Sequence, residues 1–182
     1  MDLVTISENV LRDCLGAKAG EEVLIVTDDT RVSIAQALYE GAKNLGCEAM
    51  MTVMKERKLN GEEPPKAVAE AMKAADIVIC PTAKSLTHTN ARIQAVAAGT
   101  RVATMPGITE EMFSQGAMTA DYSAVAELTA KITEMLTECQ TARIEKDGCV
   151  LTLNLEGRKG VPSPGVYREA GQSGNLPSGE AY

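Results

Sequence analysis

The sequence is poor in aromatic residues, with no Trp, one Phe and 3% aromatics among 182 residues. A chain of this length is large enough for one good core or for one domain plus part of another. Because hydrophobic residues still make up 45% of the chain, the core must be built from Ala, Val, Ile, Leu and Met. Such a core is typical of packed α/β layers.

Long apolar runs and an excess of positive charge are also missing. No apolar run approaches the ~20 residues that a membrane span needs, and the opening MDLVTISENV lacks the basic-then-apolar plan of a signal peptide. The net charge is -7, so the chain repels phosphate backbones. We therefore expect neither a membrane partner nor a nucleic-acid partner.

The cysteines form no recognisable framework. There are five of them, an odd number, and no CxxC pair. This pattern argues against a set of disulfides or a structural zinc site and favours reduced thiols, as in a cytoplasmic protein. The cysteines are Cys14, Cys47, Cys80, Cys139 and Cys149.

Nucleotide-binding motifs are absent as well. Neither GxGxxG nor GxxxxGK[ST] occurs, and the first predicted strand is followed by VTDDTR. A turn that is acidic and free of glycine would repel a phosphate rather than bind it. A nucleotide-binding function is therefore disfavoured.

Short apolar runs alternate with helical patterns over the first 140 residues. Strands that are apolar throughout and separated by helices predict a parallel sheet covered on both faces. We therefore predict a doubly wound α/β domain with about four parallel strands, and we consider the order 2-1-3-4. The predicted strands are residues 22–27, 47–54, 76–80 and 101–105.

The pattern changes after residue 140. The stretch TARIEKDGCVLTLNLEG predicts an antiparallel hairpin at 141–155, because Asp147-Gly148 is a strong two-residue turn signal. A Gly/Pro-rich tail follows. We predict one α/β domain at 1–140 and the start of an incomplete β-rich domain at 141–182, with 157–182 poorly ordered or held by a neighbouring chain.

The loop after the third strand is the first candidate site. In an open α/β sheet, ligands bind beyond the carboxyl ends of the strands, where the strand order reverses. We predict a substrate-binding crevice there, with Ser85, Thr87 and His88 as its main residues. The full predicted lining is Asp28, Asp29, Lys84, Ser85, Thr87 and His88.

Two other interpretations of this loop stay open. Ser85, Thr87 and Thr89 could simply cap the following helix. Cys80 and His88 could form a thiol nucleophile with its base, although Cys80 ends a buried strand and no third group orients the pair. We therefore predict no catalytic residue in this chain.

The second candidate is Glu180, on the closing stretch GNLPSGEAY. By composition alone it is a tail residue. However, this stretch, together with GEEVLIVTD, SLTHTNAR and GTRVATMPGITEEMF followed by ADY, resembles the N-terminal part of the aminopeptidase T family. These are thermophilic, leucyl aminopeptidase-like metallo-aminopeptidases, and the resemblance runs from about residue 20 to residue 182.

The resemblance implies a function for the whole protein. In that family an α/β domain precedes a β-rich catalytic domain with a two-metal site, commonly zinc or cobalt, and Glu180 corresponds to a metal ligand. The other ligands lie beyond residue 182, so we expect this chain alone to be an inactive domain that binds no metal tightly. The full-length protein would be a hydrolase that removes N-terminal amino acids from peptides. A homodimer is its expected assembly.

Two alternatives remain. The family architecture is also similar to that of 2,5-dihydroxypyridine dioxygenase, an iron enzyme that opens a pyridine ring. A free-standing α/β module that binds a ligand in the crevice is the other alternative.

Overall fold

A computed structural model describes residues 2–182, and its centre is a five-stranded parallel sheet in the order β2-β1-β3-β4-β8. The predicted doubly wound α/β class and the order 2-1-3-4 are both confirmed. The strands of this sheet are β1 Glu22–Asp28, β2 Glu48–Met54, β3 Ile77–Thr82, β4 Arg101–Pro106 and β8 Ser173–Asn175.

Helices connect the strands and cover both faces of the sheet. The α-helices are α1 Leu3–Asn9, α2 Val32–Asn44, α3 Lys66–Ala74, α4 Asn90–Ala97, α5 Glu110–Ser114 and α6 Tyr122–Glu138. A π-helical turn, Val10–Cys14, extends α1, and a 3-10 turn, Gly116–Thr119, follows α5. None of the helices within residues 2–182 has the length and apolar character needed to cross a bilayer.

Successive side chains of each buried strand point to opposite faces of the sheet, and each face has its own hydrophobic core. Val23 and Ile25 of β1 belong to the core shared with α1 and α2, whereas Leu24 and Val26 belong to the core shared with α3 and α4. Successive strand side chains point to opposite faces, so a strand buried on both sides must be apolar at every position. This requirement explains the continuous apolar run that made β1 predictable.

The hairpin after α6 forms as predicted. Strands β5 Thr141–Lys146 and β6 Cys149–Asn154 pair antiparallel. Asp147 and Gly148 join them with φ values of 51° and 79°. Positive φ at both central residues is what a type I′ turn requires, and its twist matches that of the flanking strands.

The Gly/Pro-rich segment differs from expectation. The prediction that 157–182 has no ordered place within its own chain is wrong, because β8 extends the parallel sheet beside β4 and Leu176 is 1% exposed. The short strands β7 Pro162–Ser163 and β9 Glu180–Ala181 also pair with each other. The division into domains at residue 140 stays a prediction, but the sheet of the first part includes a strand from the second.

Candidate functional site

The carboxyl ends of β1 and β3 are joined by a buried carboxylate. Asp28 is 1% exposed, and its Oδ1 accepts hydrogen bonds from the Thr30 amide at 2.9 Å and the Thr30 hydroxyl at 2.6 Å. Its Oδ2 accepts from the Ala83 amide at 2.6 Å. Because protein donors occupy both oxygens, Asp28 fixes the two strand ends and is not presented to a ligand as the sequence suggested.

A network of side-chain oxygens lies at the carboxyl ends of the next strands. Thr87 Oγ1 donates to Asn175 Oδ1 at 2.9 Å and lies 2.8 Å from Thr104 Oγ1. Thr104 Oγ1 reaches the same Asn175 oxygen at 2.7 Å, and Ser85 Oγ donates to Thr87 Oγ1 at 2.9 Å. The loop after β3, the strand β4 and the strand β8 are therefore linked by one set of hydroxyl contacts, which is displaced by one to two strands from the predicted crevice.

The structure separates the three predicted substrate residues. Ser85 and Thr87 share the network, but His88 is exposed and no hydrogen bond joins it to either of them. Thr89 caps α4 by accepting from the Arg92 amide at 3.3 Å. The capping interpretation thus holds for Thr89 alone, and substrate binding by Ser85, Thr87 and His88 stays a prediction.

Thr104 and Asn175 were missed by the sequence analysis. The signal for Thr104 was a hydroxyl residue among the apolar residues Val102, Ala103 and Met105 of strand β4, where Thr104 is 2% exposed. Buried hydroxyls need partners, so Thr104 indicated a polar neighbour without identifying it. Nothing in the local sequence predicts that Asn175, 71 residues further along the chain, is that neighbour.

The segment that carries Glu180 is held by two buried tyrosines. Tyr167 donates its hydroxyl to the Asn175 carbonyl at 3.0 Å, and burial raises its pKa above the ordinary value. Burial also raises the pKa of Tyr122 to about 12. Both phenols therefore stay neutral and pack as core groups, while the side chain of Glu180 on β9 is exposed.

A metal ion would find too few ligands in this part of the protein. Within residues 2–182, no three His, Cys, Asp or Glu side chains converge on one point. Metal sites need three or more protein ligands held together, so the residues present do not by themselves fit the metal that the resemblance implies. Glu180 supplies one exposed carboxylate, and no metal-dependent step is assigned to this chain alone.

The thiol alternative has no support in the structure. Cys80 is completely buried, and burial raises its pKa to about 12. A nucleophilic thiol needs a lowered pKa and some exposure. Cys80 is therefore a core residue.

We expect two of the five thiols to react rapidly with a thiol reagent at pH 8 in the native protein. Cys139 and Cys149 are exposed, whereas the other three cysteines are buried. Counting labelled residues by mass spectrometry, before and after denaturation, checks this result. Rapid native labelling of Cys80 would contradict the packing of β3 and reopen the nucleophile hypothesis.

The model of the NicX family, described as 2,5-dihydroxypyridine 5,6-dioxygenase, matches residues 2–182. The chain belongs to the NicX family. No curated protein matches the sequence.

Two solved structures share the fold of this NicX-family chain. The 2,5-dihydroxypyridine dioxygenase from Pseudomonas putida KT2440 superposes with a TM-score of 0.70 at 18% identity, covering 98% of this chain and 54% of that one. Wild-type AmpT from Thermus thermophilus superposes with a TM-score of 0.61, also at 18% identity, covering 98% of this chain and 60% of that one. The chain thus spans little more than half the length of either neighbour.

The comparisons refine the resemblance seen in the sequence. The likeness to aminopeptidase T is supported at the level of the fold, since AmpT at 18% identity shares the architecture. The family match, however, is to NicX over the whole described chain.

Proposed function

We propose that this chain is the α/β half of a metal-dependent, ring-cleaving dioxygenase that acts on 2,5-dihydroxypyridine or a close analogue. The observation that carries the proposal is the family match over residues 2–182. The structural neighbour with the higher TM-score of the two described is itself a 2,5-dihydroxypyridine dioxygenase. Catalysis would require a second half, corresponding to the 46% of that neighbour's length that this chain does not cover.

The exposed apolar face of the hairpin supports the proposal that a second half of the protein packs against this chain. Paired residues of an antiparallel ladder share a face, and the pairs Ile144–Leu151 and Ala142–Leu153 place four apolar side chains together. Ile144, Leu151 and Leu153 are 57%, 53% and 41% exposed. We assign this face to contact with the catalytic half, because such a surface is normally covered in a stable protein.

Helix α6 presents a second apolar stripe. Leu128, Ile132 and Met135 are 59%, 40% and 63% exposed, and their spacing of four and three residues puts them on one side of the helix. This chain covers 54% and 60% of the two neighbouring structures, so each of them has a further part of substantial size. A second half of that size is large enough to cover both the helix stripe and the hairpin face.

Glu180 is the residue that we expect this half to contribute to the metal centre. It lies on β9, which pairs with β7 and packs against α6, so the backbone position is fixed while the carboxylate is exposed. Carboxylates held on rigid elements make well-positioned metal ligands. The remaining ligands would come from the catalytic half.

A metallo-aminopeptidase is the second candidate function. The likeness of the fold to AmpT supports it, as does the sequence resemblance around Glu180. This candidate has a different substrate class, namely peptides with a free amino terminus, and a hydrolytic reaction in place of an oxidative one. The two candidates therefore separate in a single assay.

The test uses the complete protein, in which residues 1–182 are joined or combined with the catalytic half. Dioxygen uptake and loss of the aromatic absorbance are followed after addition of 2,5-dihydroxypyridine, and release of amino acid is followed with unblocked aminoacyl amides. We expect dioxygen uptake with the pyridine and no turnover of the amides. Turnover of the amides without dioxygen uptake would favour the aminopeptidase and overturn the proposal.

A further inference from the structure

A small cavity of about 110 Å³ opens beside the hydroxyl network, at the edge of the sheet formed by β4 and β8. Its lining combines a guanidinium group, three hydroxyl groups and one apolar side chain. The lining residues are Thr87, Arg92, Val102, Thr104, Ser173 and Gly174.

Arg92 is the only cationic side chain in that lining, and its charge has no carboxylate partner. Nε donates to the Thr87 carbonyl at 2.8 Å, and Nη1 donates to Ser173 Oγ at 3.1 Å. Both acceptors are neutral. None of the ion pairs formed within residues 2–182 includes Arg92.

Arg92 is half-buried in a chain of net charge -7. A partly buried guanidinium forms its strongest hydrogen bonds with an anionic partner. Two of its five N–H groups are used in the two bonds described, which leaves donors on Nη1 and Nη2 for a further acceptor. These remaining donors could form a bidentate ion pair with a carboxylate.

We propose that this cavity binds the carboxylate group of a small monocarboxylic acid. The free donors of Arg92 would hold the two carboxylate oxygens in the planar fork that guanidinium and carboxylate groups share. Thr87, Thr104 and the fully buried Val102 belong to the same lining.

Size and charge favour a small carboxylate over phosphate. At about 110 Å³ the cavity is small, which suits an anion with as few atoms as formate or acetate. Phosphate is larger and carries up to two negative charges near neutral pH, whereas the lining supplies one positive charge. The proposal goes beyond the dioxygenase function and does not depend on it.

A purely structural role for Arg92 is the competing explanation. Its bond to Ser173 could serve only to hold β8 against the sheet, together with the contacts of Asn175. In that case, removing Ser173 Oγ and removing the guanidinium should change the acetate affinity equally, because both would act only by loosening β8. If the cavity is a carboxylate site, only the loss of the guanidinium should weaken acetate binding strongly.

The experiment is a titration of the 182-residue chain with sodium acetate, sodium formate and sodium phosphate at constant ionic strength, followed by ¹H–¹⁵N NMR. With acetate and formate we expect saturable shifts at the amides of Ser173 and Gly174, with a Kd on the order of 1 mM for so small a ligand. Arg92→Gln should weaken acetate binding by about tenfold or more, since a charged hydrogen-bonding partner is lost.

Three variants serve as controls. Arg158→Gln removes the same charge from an exposed position and should leave the affinity unchanged. Ser173→Ala keeps the guanidinium and should stay within about threefold of the original affinity, because one neutral hydrogen bond contributes little. If Arg92→Gln fails to fold, Arg92→Lys keeps the charge without the fork and should still bind acetate more weakly.

Four results would overturn the proposal. They are the absence of saturable shifts near Gly174, unchanged acetate affinity in Arg92→Gln or Arg92→Lys, equal losses in Arg92→Gln and Ser173→Ala, and phosphate binding at least as tight as acetate binding. Because the readout is binding to this chain alone, its failure would leave the dioxygenase proposal untouched.

Discussion

Glu180→Gln is expected to lower the turnover of the complete protein by more than about 100-fold, because loss of a residue that merely supports a metal ligand already costs about 10- to 100-fold. Glutamine keeps the size and the hydrogen-bonding reach of the side chain but removes the negative charge that binds a cation. The exposed position of Glu180 means that the fold should not change. Steady-state rates and metal content of the purified protein, measured together, check this result.

Glu156→Gln is the matched control for that experiment. Glu156 is also exposed and lies between β6 and β7, so its neutralisation should leave the rate and the metal content unchanged. Full activity and full metal content in Glu180→Gln would show that Glu180 is only a surface residue. An equal loss in both variants would point to a general effect of charge instead of a ligand.

Gly174→Ala is expected to destabilise the 182-residue chain by about 3 kcal/mol, at the upper end of the range for overpacked sites. A Cβ at position 174 would overlap the hydroxyl and ring of Tyr167, with Cε1 only 2.6 Å away. The backbone of Gly174 is not left-handed, so the cost would be steric. Urea denaturation followed by circular dichroism measures the change in the free energy of unfolding.

A double-mutant cycle separates this overlap from other effects of the substitution. In a Tyr167→Leu background the added methyl group has room, so Gly174→Ala should cost less than about 1 kcal/mol there, and contacting residues couple by about 0.5–3 kcal/mol. The same cost in both backgrounds would mean that Tyr167 does not pack on β8.

The central sheet could be predicted because its strands are buried on both faces. Val23, Leu24, Ile25 and Val26 are each at most 4% exposed, and only an apolar run satisfies two cores at once. The hairpin was equally predictable, since Asp147-Gly148 encodes its turn locally. In both cases the determining physical requirement lies within a few consecutive residues.

The strand β8 could not be predicted from its sequence. Its three residues, Ser-Gly-Asn, have no apolar periodicity, and the strand forms by backbone pairing with β4 at the edge of a sheet that already exists. The hydroxyl network depends on the same event, because Asn175 reaches Thr104 only when β8 is in place. Interactions between residues so far apart in the chain leave no local pattern.

The candidate site was predicted in part, and for two different reasons. Ser85 and Thr87 follow β3, and the rule for carboxyl ends of parallel strands placed them at the correct edge. Glu180 entered only through the resemblance to a family, since a carboxylate on a Gly/Pro-rich segment has no pattern of its own. Arg92 was overlooked because a basic residue on an amphipathic helix is normally solvent-exposed.

The most direct test of the dioxygenase proposal follows oxygen isotopes through the reaction of the complete protein with 2,5-dihydroxypyridine. Under ¹⁸O₂ in ordinary water, a dioxygenase transfers both oxygen atoms to the substrate, so mass spectrometry of the ring-opened product should show two ¹⁸O atoms, and this product should be lost in Glu180→Gln. A hydrolase takes its oxygen from water. Product labelled only when the solvent is H₂¹⁸O, with no label from ¹⁸O₂, would contradict the account.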